Sequence, residues 1–177
     1  MRQLALLDQH QLGLREASDQ SISYTRRAAR AVLFNAAGQV AIMHFTATGS
    51  YKLPGGGIDE GEDTVAALHR EIREETGYKI TDIKELGEVV EYRYYCGMHQ
   101  VSYCYTATVT QFVGTQLTQK EQDGGMEVQW FDTITDAITA IESGHNIDED
   151  GSETGLKMMI LRDVSILESV YYAPQRG

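Results

Sequence analysis

Cysteine, proline and basic residues are all scarce in this chain of 177 residues, and each shortage excludes something. The two cysteines, Cys96 and Cys104, make neither a disulfide framework nor a zinc-ligand pattern, which leaves them as small strand residues. Lys and Arg total 15 against 26 Asp and Glu, a formal net charge of −11, which opposes binding to a nucleic-acid polymer, whose phosphates need clustered cations. No apolar run is long enough to span a membrane. The opening MRQLALLDQHQLGL carries only a short apolar run before Asp8, too little for a secretory segment, so a cytoplasmic protein is expected. There is no internal repeat and no low-complexity tract. An apolar content of 42% is enough for one domain's core.

What is present concentrates in one stretch, Gly56 to Tyr78, GGIDEGEDTVAALHREIREETGY. Pro54 followed by Gly55, Gly56 and Gly57 forbids regular structure and lets the backbone turn where side chains would clash. Glu62 and Asp63 place negative charge at a helix N-terminus, where the macrodipole favours it. Helix formers then run from Thr64 to Thr76, and Gly77 stands where a C-terminal capping glycine is expected. At helical spacing Val65, Leu68 and Ile72 share an apolar stripe, while Glu71, Glu74 and Glu75 crowd an adjacent arc. Like charges so placed cost an isolated helix roughly 0.2–0.5 kcal/mol per pair, so a compensating group is expected. A hard divalent cation, which takes oxygen ligands and bridges carboxylates to phosphates, is the natural one. His69 is read as a surface residue.

Around this helix the sequence reads as strands. Ile22 to Asn35 forms a strand with Gln39 to Phe45 as its hairpin partner, and Tyr51 to Leu53 approaches the glycine loop. Lys79 to Tyr95 and Gln100 to Phe112 read as two strands about a turn at Cys96-Gly97-Met98, the second alternating through Val101, Tyr103, Tyr105, Ala107 and Val109. Glu127 to Phe131 is a further short strand. Thr133 to Ser143 and Leu156 to Tyr171 are amphipathic helices joined by the polar loop Gly144 to Gly155. Residues 1–20 are expected to form a short strand or an extension packing on the domain or on a dimer partner, and 21–177 a single domain. Helices on both faces of a mixed sheet make the expected class α/β.

Gly56, Glu62, Arg70, Glu71, Glu74, Glu75 and Gly77 stand at the spacings Gly-x5-Glu-x7-Arg-Glu-Ile-x-Glu-Glu-x-Gly. This resembles the Nudix box of the Nudix hydrolase superfamily (MutT-like). Only Tyr78 departs, where that family usually has an aliphatic residue that packs. The resemblance implies the Nudix fold, an α/β/α sandwich with a mixed central sheet, and cleavage of a pyrophosphate bond in a nucleoside diphosphate linked to another group. It further implies Mg²⁺, with Mn²⁺ as a substitute, held by Glu71, Glu74, Glu75 and the Gly56 carbonyl. Catalytic roles fall to Glu74 and Glu75, with Arg70 orienting the carboxylates and Gly55, Gly57, Glu62 and Gly77 shaping the motif.

The general base in such proteins often comes from a later loop. Here the candidates are Glu121, Asp123 and Glu127, of which Glu121, placed in a loop before Gly124-Gly125, is favoured; Glu75 is the alternative within the box. Arg27, Arg30 and Lys52 are candidate phosphate contacts, because positive charge must meet the substrate somewhere on so acidic a chain. Tyr51 is a candidate for stacking on a base. No proline follows Gly77 before Pro174, which weighs against the ADP-ribose branch of the family. The expected partner is a small phosphorylated substrate, a nucleotide; a homodimer is the family's habit. A binding or regulatory protein with little turnover is the alternative, though it predicts a damaged box and this one is intact.

Overall fold

The computed structural model describes residues 1–144 and 152–172. Eight strands form one sheet: β1 (Gln3–Asp8), β2 (Tyr24–Phe34), β3 (Val40–Phe45), β4 (Ser50–Lys52), β5 (Gly55–Gly57), β6 (Tyr78–Arg93), β7 (Met98–Phe112) and β8 (Met126–Phe131). The helices are α1 (Thr64–Thr76), α2 (Gln119–Asp123), α3 (Ile134–Ser143) and α4 (Glu153–Tyr171). The sheet runs β1-β6-β7-β2-β3-β4, with β5 added to β2 and β8 to β3. It is mixed: β1 lies parallel to β6 and β2 parallel to β7, while the other pairs are antiparallel.

Two apolar layers follow from the period of two along β2. Ala29, Ala31 and Leu33 face α1 and close on Ala67, Leu68 and Ile72. Val32 faces the other way, into a core with Ile141 of α3 and Met158, Ile166 and Leu167 of α4. The α/β/α arrangement is thus a sheet buried on both faces. Leu68 and Ile72 are fully buried, and truncating either to Ala should cost about 2–5 kcal/mol.

Several expectations are corrected. Val65 is 38% exposed and contributes little to the α1 stripe, which Ala67 fills instead. Of the two readings of residues 1–20, the short strand is the one present: Gln3–Asp8 joins the sheet in parallel register with Glu88 to Tyr92 of β6. The segment before Gly124 holds α2, a one-turn helix closed by a capping box between Thr118 and Glu121, so Glu121 sits on a helix and not in a loop. Helix α4 starts at Glu153, capped by the Ser152 hydroxyl, three residues before the predicted start. The remainder of the loop expected at Gly144 to Gly155, residues 145–151, lies outside the described residues.

The long strand β2 gives up its edge partway along. Ala28–Arg30 pair with β5, whereas Leu33 and Phe34 pair with β3. That handover seats the glycine loop against the middle of the sheet and sets α1 above it.

Candidate active site

Residues of Tyr24–Arg30, the glycine loop, α1, α2, β6, β7 and α4 enclose a cavity of about 520 Å³, within the usual range for a small-molecule site. One wall is acidic. It begins at Gly55, where φ is +124° and an added Cβ would lie 2.2 Å from the Ala29 carbonyl oxygen, so only glycine lets the loop run this close to β2. At Gly56 a Cβ would lie 2.3 Å from Glu71 Oε2. The missing side chain makes room for that carboxylate.

Asp63 starts α1 by accepting the Val65 and Ala66 N–H groups, and Gly77 ends it in the left-handed conformation with its N–H on the Arg73 carbonyl. This fixed rod carries Arg70 into the centre of the acids. Arg70 donates to both oxygens of Glu62 at 3.1 and 2.8 Å, to Glu71 at 2.7 Å, to Glu74 at 3.4 Å and to the Gly57 carbonyl at 2.9 Å. Hydrogen bonds from Arg70 hold the Glu62 carboxyl below its ordinary pKa. Glu71 goes the other way: burial raises it, and repulsion from Glu75 and Glu74 adds to that, against the pull of Arg70.

Glu75 is buried and separately satisfied. Its Oε2 accepts the Gly55 N–H at 2.7 Å, and its Oε1 pairs with Lys52 Nζ at 3.1 Å. Among the described residues no three carboxylate, imidazole or thiol groups already converge on one point as an ion requires. The donor chemistry nonetheless fits a hard divalent cation: the acids and the Gly56 carbonyl offer oxygen alone, and the space over Gly56 is kept for Glu71. Arg70 takes only Oε1 of Glu71 and Oε2 of Glu74, so it can position both carboxylates while a cation takes the other oxygen of each.

The other wall is an arginine floor that the sequence reading missed, apart from Arg30. Arg30, Arg93 and Arg162 are 4%, 6% and 3% exposed, and all three line the cavity with Arg26. Glu91, fully buried, accepts Arg93 Nε at 3.0 Å and also takes Gln100 Nε2, whose Oε1 accepts Arg26 at 2.7 Å. Asp163, also fully buried, accepts Arg162 at 2.7 and 3.0 Å and the Leu53 N–H at 2.9 Å. Arg30 donates to the Gly55 carbonyl at 3.2 Å. Tyr24, Cys96 and Met98 supply the less polar lining.

Strand parity explains which predicted contacts are absent. Arg26 and Arg30 share the cavity face of β2, whereas Arg27 points to the α1 side and lies over the Tyr103 ring at 5.2 Å. Tyr51 and Lys52 alternate in the same way: Lys52 lines the cavity, while Tyr51 stacks on His44 at 4.4 Å and packs in the α3–α4 core. Glu121 lines the cavity, with its Oε2 accepting the Thr118 N–H and hydroxyl, both at 2.8 Å. Glu127 pairs with His44 and Asp123 with Gln119, and neither reaches the cavity. Both cysteines are free, and burial pushes the Cys104 thiol up to about 12, which makes it an inert core residue.

A mixed sheet between helical layers, with a glycine loop and an acid-rich helix closing over its middle strand, defines the class. The NUDIX domain model matches residues 24–145, more than half of the chain, and the chain belongs to the Nudix family. Its fold is similar to that of a NUDIX hydrolase from Nitrosomonas europaea, with 20% identity, a TM-score of 0.56, and 71% of this chain and 82% of that one covered. It is also similar to a MutT NUDIX hydrolase from Burkholderia pseudomallei, with 18% identity, a TM-score of 0.52, and coverage of 79% and 98%. In sequence it is 41% identical over 70 residues to an RNA pyrophosphohydrolase from Azorhizobium caulinodans, a match to 36% of this chain and 40% of that relative's length. Nudix hydrolases generally use divalent metal ions.

Proposed function

We propose that this chain is a Mg²⁺-dependent pyrophosphohydrolase that cleaves a pyrophosphate bond in a small nucleotide or nucleotide derivative by attack of water on phosphorus. The observation that carries this is one cavity lined both by Glu71, Glu74 and Glu75 of α1 and by Arg26, Arg30 and Arg162. Glu71, Glu74, Glu75 and the Gly56 carbonyl are the groups to hold Mg²⁺ or Mn²⁺. When bound, such an ion polarises phosphoryl oxygens and lowers the pKa of bound water.

The chain's own residues supply the rest. Arg70, tied to Glu62 and the Gly57 carbonyl, holds Glu71 and Glu74 at fixed positions by charge-assisted hydrogen bonds. Glu75 has both oxygens engaged, which suits a ligand better than a base. Glu121 uses only Oε2 in its bonds to Thr118, so Oε1 is the atom assigned to take the proton of the attacking water. Lys52 neutralises Glu75 and Arg30 meets phosphoryl oxygens. The net charge of −11 works against a long phosphate backbone as substrate, and RNA carrying a pyrophosphate bond joins the substrates to be tried because one relative is named an RNA pyrophosphohydrolase.

A binding protein with little turnover is the second reading. It draws support from the engagement of Glu75 by Lys52 and Gly55. The test is phosphate or pyrophosphate release from nucleoside triphosphates, oxidised nucleotides, nucleotide sugars, ADP-ribose, diadenosine polyphosphates and RNA carrying a pyrophosphate bond, each with Mg²⁺ and with EDTA. Metal-dependent release from any of them supports the hydrolase. Silence across the panel, with ligands still raising the Tm, would move the assignment to the binding protein.

A further inference from the structure

Within the arginine floor, Arg30 is a buried guanidinium that hydrogen-bonds a backbone carbonyl and no carboxylate. Four guanidiniums, Arg26, Arg30, Arg93 and Arg162, line the floor, and the two buried carboxylates among them are already committed, Glu91 to Arg93 and Asp163 to Arg162. Arg30 is paired with neither. It bonds a backbone carbonyl through Nη1, and its Nε is the single buried side-chain nitrogen or oxygen without a hydrogen-bond partner among the described residues. Burial, with repulsion from Arg162, brings the Arg30 guanidinium down to about 10. A buried cation without a counterion is costly, and this one is kept in a chain whose net charge is −11. A ligand anion would supply the missing charge.

The shape of the floor narrows that anion. Arg30, Arg93 and Arg162 are almost fully buried, whereas Tyr24 at the cavity edge is 49% exposed. A group seated against Arg30 is therefore the inner end of the ligand, with its organic part towards Tyr24, Cys96 and Met98. A free terminal phosphoryl group suits this position: it carries a charge of about −1.5 to −2, offers three acceptor oxygens to guanidinium donors, and bears no substituent. An esterified phosphate would have to bury its sugar among four guanidiniums.

We propose that Arg26, Arg30 and Arg162 form a subsite for a terminal phosphoryl group, so that the chain selects phosphate chains with a free end over those esterified at both ends. This rests on the pyrophosphohydrolase reading for its kinetic consequence but not for its binding consequence.

The experiment is a thermal-shift and calorimetric titration of the full chain with inorganic pyrophosphate in EDTA, for wild type, Arg30→Met, Arg30→Lys and Arg26→Gln. Wild type should bind and gain Tm; Arg30→Met should be at least as stable without ligand, yet lose the gain. Arg30→Lys should keep part of it, and Arg26→Gln, which leaves Arg30 in place and serves if Arg30→Met fails to fold, should weaken binding by a smaller factor. In turnover with Mg²⁺, wild type should prefer a nucleoside triphosphate to a dinucleoside triphosphate, and Arg30→Met should erode that preference by about 10–100-fold through KM, the loss of a charged hydrogen bond. No pyrophosphate binding by wild type in EDTA would overturn the subsite, as would wild-type binding by both Arg30→Met and Arg26→Gln, or equal use of free-ended and doubly esterified substrates. Pyrophosphate binding lost in Arg30→Met, in a protein that hydrolyses nothing, would keep the subsite and sink the hydrolase. Hydrolysis with binding unaffected by these variants would do the reverse.

Discussion

The two walls of the cavity differ in how the chain builds them. The acidic wall comes from one continuous segment, in which helical spacing gathers the α1 glutamates and Arg70 ties Glu62 and the glycine loop to them. The arginine floor is assembled from β2, β6, β7 and α4, residues as far apart in sequence as Arg26 and Arg162. Two of its charges are neutralised by partners beside them, Glu91 for Arg93 and Asp163 for Arg162, while Arg30 donates to a backbone carbonyl. The lesson is that a local wall is organised by its own backbone, while a dispersed wall depends on the fold. Substitutions should therefore divide into those that stop the chemistry and those that loosen the protein.

The largest expected effect is on the dispersed wall's stability. Asp163→Asn leaves the buried Arg162 guanidinium without its counterion and should cost about 3–5 kcal/mol in denaturant unfolding. It should also change the acid limb. Burial pushes the Asp163 carboxyl up, but Arg162 outweighs this and holds it below the ordinary 3.8. Its stabilising contribution is thus present above pH 3.8 and lost as pH falls through the lower, folded-state value. The Asn variant should lack that loss and give a flatter acid profile. An unchanged profile and midpoint would remove Asp163 from the account.

On the acidic wall, Glu74→Gln should lower kcat by about 10²-fold or more with the fold retained, because the change touches the proposed ion or the attacking water. Near wild-type turnover would show that this wall is not where the chemistry happens. A smaller loss, about 10–100-fold in metal affinity, is expected for Arg70→Lys, since an ammonium cannot span Glu62, Glu71 and the Gly57 carbonyl as the guanidinium fork does. Titration with Mn²⁺ would measure it.

The smallest change separates the walls most finely. Gly55→Ala and Gly56→Ala add the same methyl group one residue apart. At Gly55 it meets backbone, the Ala29 carbonyl oxygen, at a positive φ; at Gly56 it meets only the Glu71 carboxylate. The first should lower Tm and the second should lower metal affinity while Tm moves little. Equal effects on Tm would contradict the assignment of Gly56 to the carboxylate's space.

Sequence alone went furthest where structure is local. The bounds of α1, from Thr64 to Thr76 with Gly77 as its cap, are those the capping residues and helix formers predict. The hairpin of β2 and β3 and the pair β6–β7 were legible from turn residues and alternation. The strand β1 was legible only as one of two readings of residues 1–20, because QLALLD has a mixed burial pattern at the sheet edge and its parallel partner lies some eighty residues away. Helix α2 is a single turn held by its capping box, too short to show a period. In the site, strand parity applied from Arg30 would have picked Arg26 in place of Arg27, since residues two and four apart share a face. Arg93 and Arg162 carry a fainter mark, each standing close to an acid in an otherwise apolar setting, Glu91 and Asp163. No local rule shows that the strand carrying Glu91 and Arg93 packs against the helix carrying Arg162 and Asp163.

The central claim is that the two walls divide the work, the acids governing turnover and the arginines governing capture of the phosphate chain. It is tested most directly by measuring kcat and KM of Glu74→Gln and Arg30→Met on one nucleoside triphosphate at saturating Mg²⁺. The account predicts that Glu74→Gln loses kcat with little change in KM, and that Arg30→Met raises KM by the larger factor. Both variants moving the same constant to the same extent would contradict it.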